Sequence, residues 1–160
     1  MPHPQSKWEG SGDLLRMRFG RAHVDAMSRK PICVLSIEDH PGDGEWIQAF
    51  LTEDEHTSFN IVCTGSLATG LTHLAEHDVD IILLDLSLPD SQDLATIAIL
   101  RDRAPAVPLV VTADLDDETL AAQIVRAGAQ EYLVKGRIGR DGMVRVIRYA
   151  IERRRADEAL

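Results

Sequence analysis

A chain of 160 residues, 44% hydrophobic and 27% charged, has ordinary globular composition, long enough for one domain with a proper core and too short for two. Aromatic residues are only 4%, so the core has to be built from Val, Ile, Leu and Ala. The formal net charge of −9 is uneven: residues 1–30 carry six Lys/Arg against three Asp/Glu, and the acidic remainder argues against nucleic acid as a direct ligand.

No apolar run approaches the ~20 residues of a membrane-spanning helix. Arg16, Arg18 and Arg21 break up the hydrophobic residues near the N-terminus, so the apolar core of a signal peptide is not expected and a cytoplasmic location is. Residues 1–30 hold Pro2, Pro4, Gly10 and Gly12 among scattered charges, the pattern of a flexible leader with room for a short helix over 13–21. Met27, just before Ser28-Arg29-Lys30-Pro31, is a candidate start, in which case residues 1–26 are an upstream extension.

From Pro31 onward, apolar runs and amphipathic stretches alternate five times. A first strand over 32–37 precedes a helix over 43–52, with Trp46, Ile47, Phe50 and Leu51 at helical spacing. A second strand over 60–64 leads to a helix that opens after Ser66, its N-cap, and carries Leu67, Leu71 and Leu74. A third strand over 80–84 is followed by a helix over 92–101 that ends before Pro105. The fourth strand covers 107–111, and its helix, over 116–127, stops at Gly128. A fifth strand over 131–134 precedes a last helix from residue 141 towards the end, with Val144, Ile147 and Ile151 as its apolar face. Cys33 and Cys63 fall in strands, too far apart for a zinc signature, and are expected to be buried, reduced, structural thiols.

Short, continuous apolar runs between helices read as buried parallel strands. With right-handed crossovers, five of them give an α/β fold: a doubly wound parallel sheet of order 2-1-3-4-5. The order reverses between the first and third strands, and ligands of such sheets bind beyond the carboxyl ends there.

That edge carries chemistry. The first strand ends on Glu38-Asp39, the third on Asp85, the fourth on Thr112 and the fifth on Lys135. Carboxylates forced together repel and stay ionised when they share a cation. Oxygen ligands with retained waters suit Mg²⁺, so Glu38, Asp39 and Asp85 are candidate ligands, with a backbone carbonyl from the loop after Asp85. Lys135 supplies a point charge and Thr112 a hydroxyl donor for phosphoryl oxygens. Asp85 is then the nucleophile, attacking phosphorus in line to give an acyl phosphate. A carboxylate is already ionised at neutral pH, so no general base is needed, and nearby His40 is read as a loop-surface residue.

The segments VLSIEDHPGD, IILLDLSLPD, LVVTAD and AGAQEYLVKG resemble, in order and spacing, the motifs of the response-regulator receiver domain of two-component signalling, the CheY-like superfamily. The resemblance covers residues 31–152, leaving 153–160 as an extension of the last helix. It implies that Asp85 is the phosphoacceptor, that Asp39 binds Mg²⁺ directly and Glu38 through water, and that Ser87 supplies the metal-binding backbone carbonyl. It further implies that Thr112 and Lys135 bind the phosphoryl group and that Tyr132 is the switch aromatic, turning inward when Thr112 moves. The donor would be a phosphohistidine on a sensor histidine kinase or histidine phosphotransfer protein. The output would be a repacked face of the fourth helix, fifth strand and fifth helix, acting on a downstream module or effector and open to homodimer formation. Ser87 and Asp114, beside the expected phosphoryl position, are candidates for tuning the lifetime of the acyl phosphate.

Three positions depart from the family pattern. Glu38 replaces the commoner aspartate, Gly136 stands where many members have a proline with a cis bond, and Asp93 stands where a glycine usually opens the third helix. Beyond Ile151 the last helix fades into Glu152-Arg153-Arg154-Arg155, read as a solvated face. Its end resembles receivers whose last helix continues into a linker; a fragment and a stand-alone receiver pairing through this helix are both open readings. Function is read as a phosphorylation-controlled switch and not an enzyme, with at most self-phosphorylation from small donors and autodephosphorylation. The alternatives are a Mg²⁺-dependent aspartyl phosphohydrolase, disfavoured because Asp85-Leu86-Ser87 lacks a second carboxylate, and an unphosphorylated scaffold.

Overall fold

The computed structural model describes residues 30–159, apart from 87, 89, 91 and 92. The leader over 1–30 lies outside that range but for Lys30, as do the short helix over 13–21, Met27, Ser87 and Gln92. Among the described residues, five strands and five helices alternate in the order β1 (Ile32–Ile37), α1 (Pro41–Thr52), β2 (Phe59–Thr64), α2 (Leu67–Glu76), β3 (Ile81–Asp85), α3 (Asp93–Arg103), β4 (Leu109–Ala113), α4 (Glu118–Arg126), β5 (Glu131–Val134) and α5 (Arg140–Ala159). All pairings are parallel and the strand order is 2-1-3-4-5, as the sequence predicts.

The two faces of the sheet explain the unbroken apolar runs. On one face Val34, Leu83 and Val110 pack under Ile47 and Leu51 of α1 and Met143, Ile147 and Ile151 of α5. On the other, Leu35, Ile37, Leu84 and Val111 meet Leu67 of α2, Ile97 and Leu100 of α3 and Ile124 of α4. A central strand covered on both sides has no polar face, so β3 and β4 are buried throughout. Each fully buried Leu or Ile contributes about 1.5–3 kcal/mol.

Element boundaries move from expectation for local reasons. α1 begins at Pro41 and not at residue 43, because proline fits the first helical position, where its missing N–H costs nothing. β3 extends to Asp85, which pairs in register with Thr112. α4 begins at Glu118, since Asp117 caps it by accepting the Leu120 N–H at 3.0 Å. Gly128 follows with φ +122°, a conformation that ends the helix at little steric cost only to glycine.

The cysteine expectation needs correcting. Cys33 is only partly buried and Cys63 is exposed, both as free thiols. β2 is an edge strand with no buried residue, Asn60 and Cys63 being exposed and the rest partly buried, so an apolar run there is not a buried one. Burial and the nearby Glu38 carboxylate still push the Cys63 thiol above its ordinary value.

No helix among the described residues is long and apolar enough to cross a membrane. All described peptide bonds are trans, including Lys135–Gly136, and Gly136 has φ +82°. No described non-glycine residue has positive φ, and α3 begins at Asp93.

Candidate functional site

Parallel strands bring their carboxyl ends to one edge, and the register sets which residues meet there. Asp85 pairs with Thr112, and Ala113 with Val134, so Lys135 follows one residue beyond. Ile37 pairs with Leu84, which sets Glu38 and Asp39 just past the end of β1 beside the strand that carries Asp85. Backbone bonds extend the order into the loops: Glu38 N–H donates to the Thr64 carbonyl at 2.9 Å and Lys135 N–H to the Ala113 carbonyl at 2.8 Å.

The Asp85 side chain is 0% exposed, and Lys135 Nζ donates to its Oδ2 at 2.7 Å. A buried carboxylate is costly unless paired, and this ammonium supplies the pairing. Asp114 Oδ1 lies 3.9 Å from the same ammonium, from a much more exposed side chain. The Thr112 hydroxyl is buried and donates to the Leu84 carbonyl at 3.5 Å, a long bond that holds it weakly beside Asp85.

Glu38 is buried, whereas Asp39 is partly exposed. Asp39 Oδ1 is itself buried and accepts no hydrogen bond; His40 Nδ1 is 3.5 Å away, on a side chain that is 58% exposed, in line with a loop-surface residue. A carboxylate oxygen shielded from water without a donor suits a hard cation, so the Asp39 environment fits Mg²⁺. Among the described residues no three His, Cys, Asp or Glu side chains close into a ligand shell. Mg²⁺ usually keeps several waters and takes few carboxylates, which is compatible with that arrangement. Ser87, the expected source of a carbonyl ligand, lies outside the described residues.

Tyr132 pairs with Val111 and packs on the other face of the sheet from Thr112. Its hydroxyl donates to the Leu115 carbonyl in the loop after β4. Burial raises the phenol above its ordinary value, with Asp117 adding to the effect. Arg137, in the loop after β5, and Asp116, in the loop after β4, form an ion pair.

Sequence reasoning missed Asp90. Its Oδ1 accepts the Leu67 N–H at 2.8 Å and its Oδ2 the Ala68 N–H at 3.1 Å, while Ser66 Oγ accepts the Thr69 N–H at 3.1 Å. With Gly70 N–H bonded to the Ser66 carbonyl, the first turn of α2 is fully satisfied, partly from the loop that follows Asp85. These bonds hold the Asp90 carboxyl below its ordinary value. The signal was a polar residue in that loop, but nothing local in sequence links it to a helix 23 residues away.

A doubly wound α/β sheet with a buried carboxylate, an ammonium and a hydroxyl at the carboxyl ends of its strands belongs to the class of open α/β folds that bind ligands along that edge. Within that class, residues 34–148 match the family model of the response regulator receiver domain, and the chain belongs to that family. It is 31% identical over 103 residues to a glycerol metabolism activator of Pseudomonas putida, covering 64% of this chain and 46% of that protein. It is 29% identical over 123 residues to the transcriptional regulatory protein KdpE of Mycobacterium tuberculosis, covering 77% and 52%. The chain thus spans about half the length of these curated relatives. Its fold is similar to the signal receiver domain of a LuxO repressor protein from Vibrio parahaemolyticus, with a TM-score of 0.71 at 16% identity over 81% of this chain and 97% of that one.

Proposed function

We propose that this receiver accepts a phosphoryl group from a phosphohistidine donor onto Asp85 and thereby switches its α4–β5–α5 face. The observation that carries this reading is the buried Asp85 carboxylate, held 2.7 Å from Lys135 Nζ beside the Thr112 hydroxyl. An Asp85 oxygen attacks phosphorus as the P–N bond of the donor breaks, and the electron pair leaves with the imidazole nitrogen. Lys135 follows the new charge from the carboxylate to a phosphoryl oxygen, and the weakly held Thr112 hydroxyl donates to another. Glu38, Asp39 and Asp85 would hold Mg²⁺ with the Ser87 carbonyl, and the bound ion would supply positive charge against the phosphoryl oxygens.

Movement of Thr112 towards the phosphate pulls on the loop that Tyr132 fastens through Leu115. Release of that hydrogen bond lets Tyr132 turn inward and changes the surface offered by α4, β5 and α5. The donor is a sensor histidine kinase or a histidine phosphotransfer protein, and the recipient of the signal is an effector module or protein. Homodimer formation through the switched face is one way of passing the signal on.

A small P–N donor, phosphoramidate, tests the chemistry. Incubated with the protein and Mg²⁺, it should label the chain to at most one equivalent, with slow phosphate release. Many turnovers of released phosphate without a labelled chain would contradict the switch and favour a hydrolase.

A further inference from the structure

We propose that His73 and His77, at the carboxyl end of α2, form a binding site for a transition-metal dication such as Zn²⁺, separate from the phosphorylation edge. The two residues are four apart, His73 in the last turn of α2 and His77 capping that helix with an extended backbone. Their rings lie side by side, with centroids 4.3 Å apart and planes 13° from parallel. The backbone beneath them is fixed, because His77 N–H donates to the His73 carbonyl at 2.9 Å as the helix ends. Small rotations of two surface side chains, fast on the scale of binding, turn one nitrogen of each ring towards a shared ion.

The chemistry selects the ion. Imidazole nitrogens suit Zn²⁺, Ni²⁺ and Cu²⁺, whereas Mg²⁺ prefers oxygen. Metal binding needs neutral rings, and burial with the neighbouring His77 lowers the His73 value, so protons compete less at neutral pH. The carboxyl end of a helix carries partial negative charge, and Glu76, three residues from His73, adds a full one close enough to act on that ring. The order His73-Leu74-Ala75-Glu76-His77 is the H-x-x-E-H of certain zinc-binding helices. Among the described residues no third side chain joins the pair, so water completes the coordination and binding without hydrolysis is expected. α2 runs back from its Asp90-capped start near the Asp85 edge, so the pair sits at the opposite end of the sheet and leaves phosphorylation chemistry untouched.

The test is a Zn²⁺ titration of the ¹⁵N-labelled full chain in saturating Mg²⁺, followed by two-dimensional NMR, with His73→Gln and His77→Gln in parallel. The expected result is saturation at one equivalent, with shifts centred on His73, His77 and the end of α2, lost in either variant and at low pH. Melting curves equal to wild type in the absence of Zn²⁺ show that the variants are folded. Shifts centred on Cys63 or on the Asp39–Asp85 edge, shifts that persist in both variants, or no saturable shift would each overturn the proposal.

Discussion

Lys135 and Asp85, fifty residues apart in sequence, meet as a buried ion pair at 2.7 Å because β5 and β3 flank β4 with their carboxyl ends on one edge. The Asp85 side chain is 0% exposed and that of Lys135 11%. Removing the ammonium leaves a charge stranded in the interior, which in such pairs costs about 3 kcal/mol. Lys135→Ala should therefore unfold at lower urea than wild type. Added Mg²⁺ should recover part of the difference, since a cation at the same edge relieves the same carboxylate. Equal midpoints for variant and wild type would show that the pair contributes nothing to stability.

Asp90 should make the stability of α2 depend on pH in the acid range. Its carboxyl is held below the ordinary value of about 3.9 by the N–H groups of Leu67 and Ala68. A depressed folded value means that the contribution is complete above the unfolded value and is lost as pH falls through the folded one. Asp90→Ala should melt below wild type at pH 7, and the gap should close as the pH drops well under 3.9. A gap unchanged across that range would contradict the carboxylate's role as a cap.

Gly136 takes φ +82° immediately after Lys135, with open space where a Cβ would stand. Substitution by Ala meets no neighbour but forces the left-handed region on an L side chain, at a cost of roughly 1–2 kcal/mol. Gly136→Ala should lower stability by about that amount in urea titration. Gly136→Pro cannot adopt this φ at all and should reposition Lys135, slowing phosphorylation of Asp85.

The Tyr132 hydroxyl fastens the loop after β4 through the Leu115 carbonyl. Tyr132→Phe removes one net hydrogen bond of about 1 kcal/mol and keeps the ring. The expected outcome is faster amide hydrogen exchange in residues 114–117, without loss of exchange protection in β3. Unchanged exchange in that loop would show that the hydroxyl does not hold it.

Much of the fold was legible because it rests on patterns that are local in sequence. Unbroken apolar runs such as Ile81–Leu84 announced strands covered on both faces, and the amphipathic stretches between them announced crossover helices. The residues closing those runs could be placed on one edge without coordinates, since parallel order alone puts Asp85, Thr112 and Lys135 together. The exposure of Cys63 was implied by the same order, which puts β2 at the rim, but apolar composition suggested burial. The start of α1 was misplaced because Pro41 reads as a helix breaker unless it occupies the first turn. Asp90 could not be read at all: its bonds to α2 exist only once the sheet has brought the loop after β3 against that helix.

The central claim is that Asp85 is the phosphoacceptor, and intact-mass measurement after incubation with Mg²⁺ and acetyl phosphate, alongside Asp85→Asn, tests it most directly. The expected result is a gain of one phosphoryl group in the wild type, removed by hydroxylamine as an acyl phosphate should be, and no gain in the variant. An unlabelled wild type that stays folded, or a label that persists in Asp85→Asn, would contradict it.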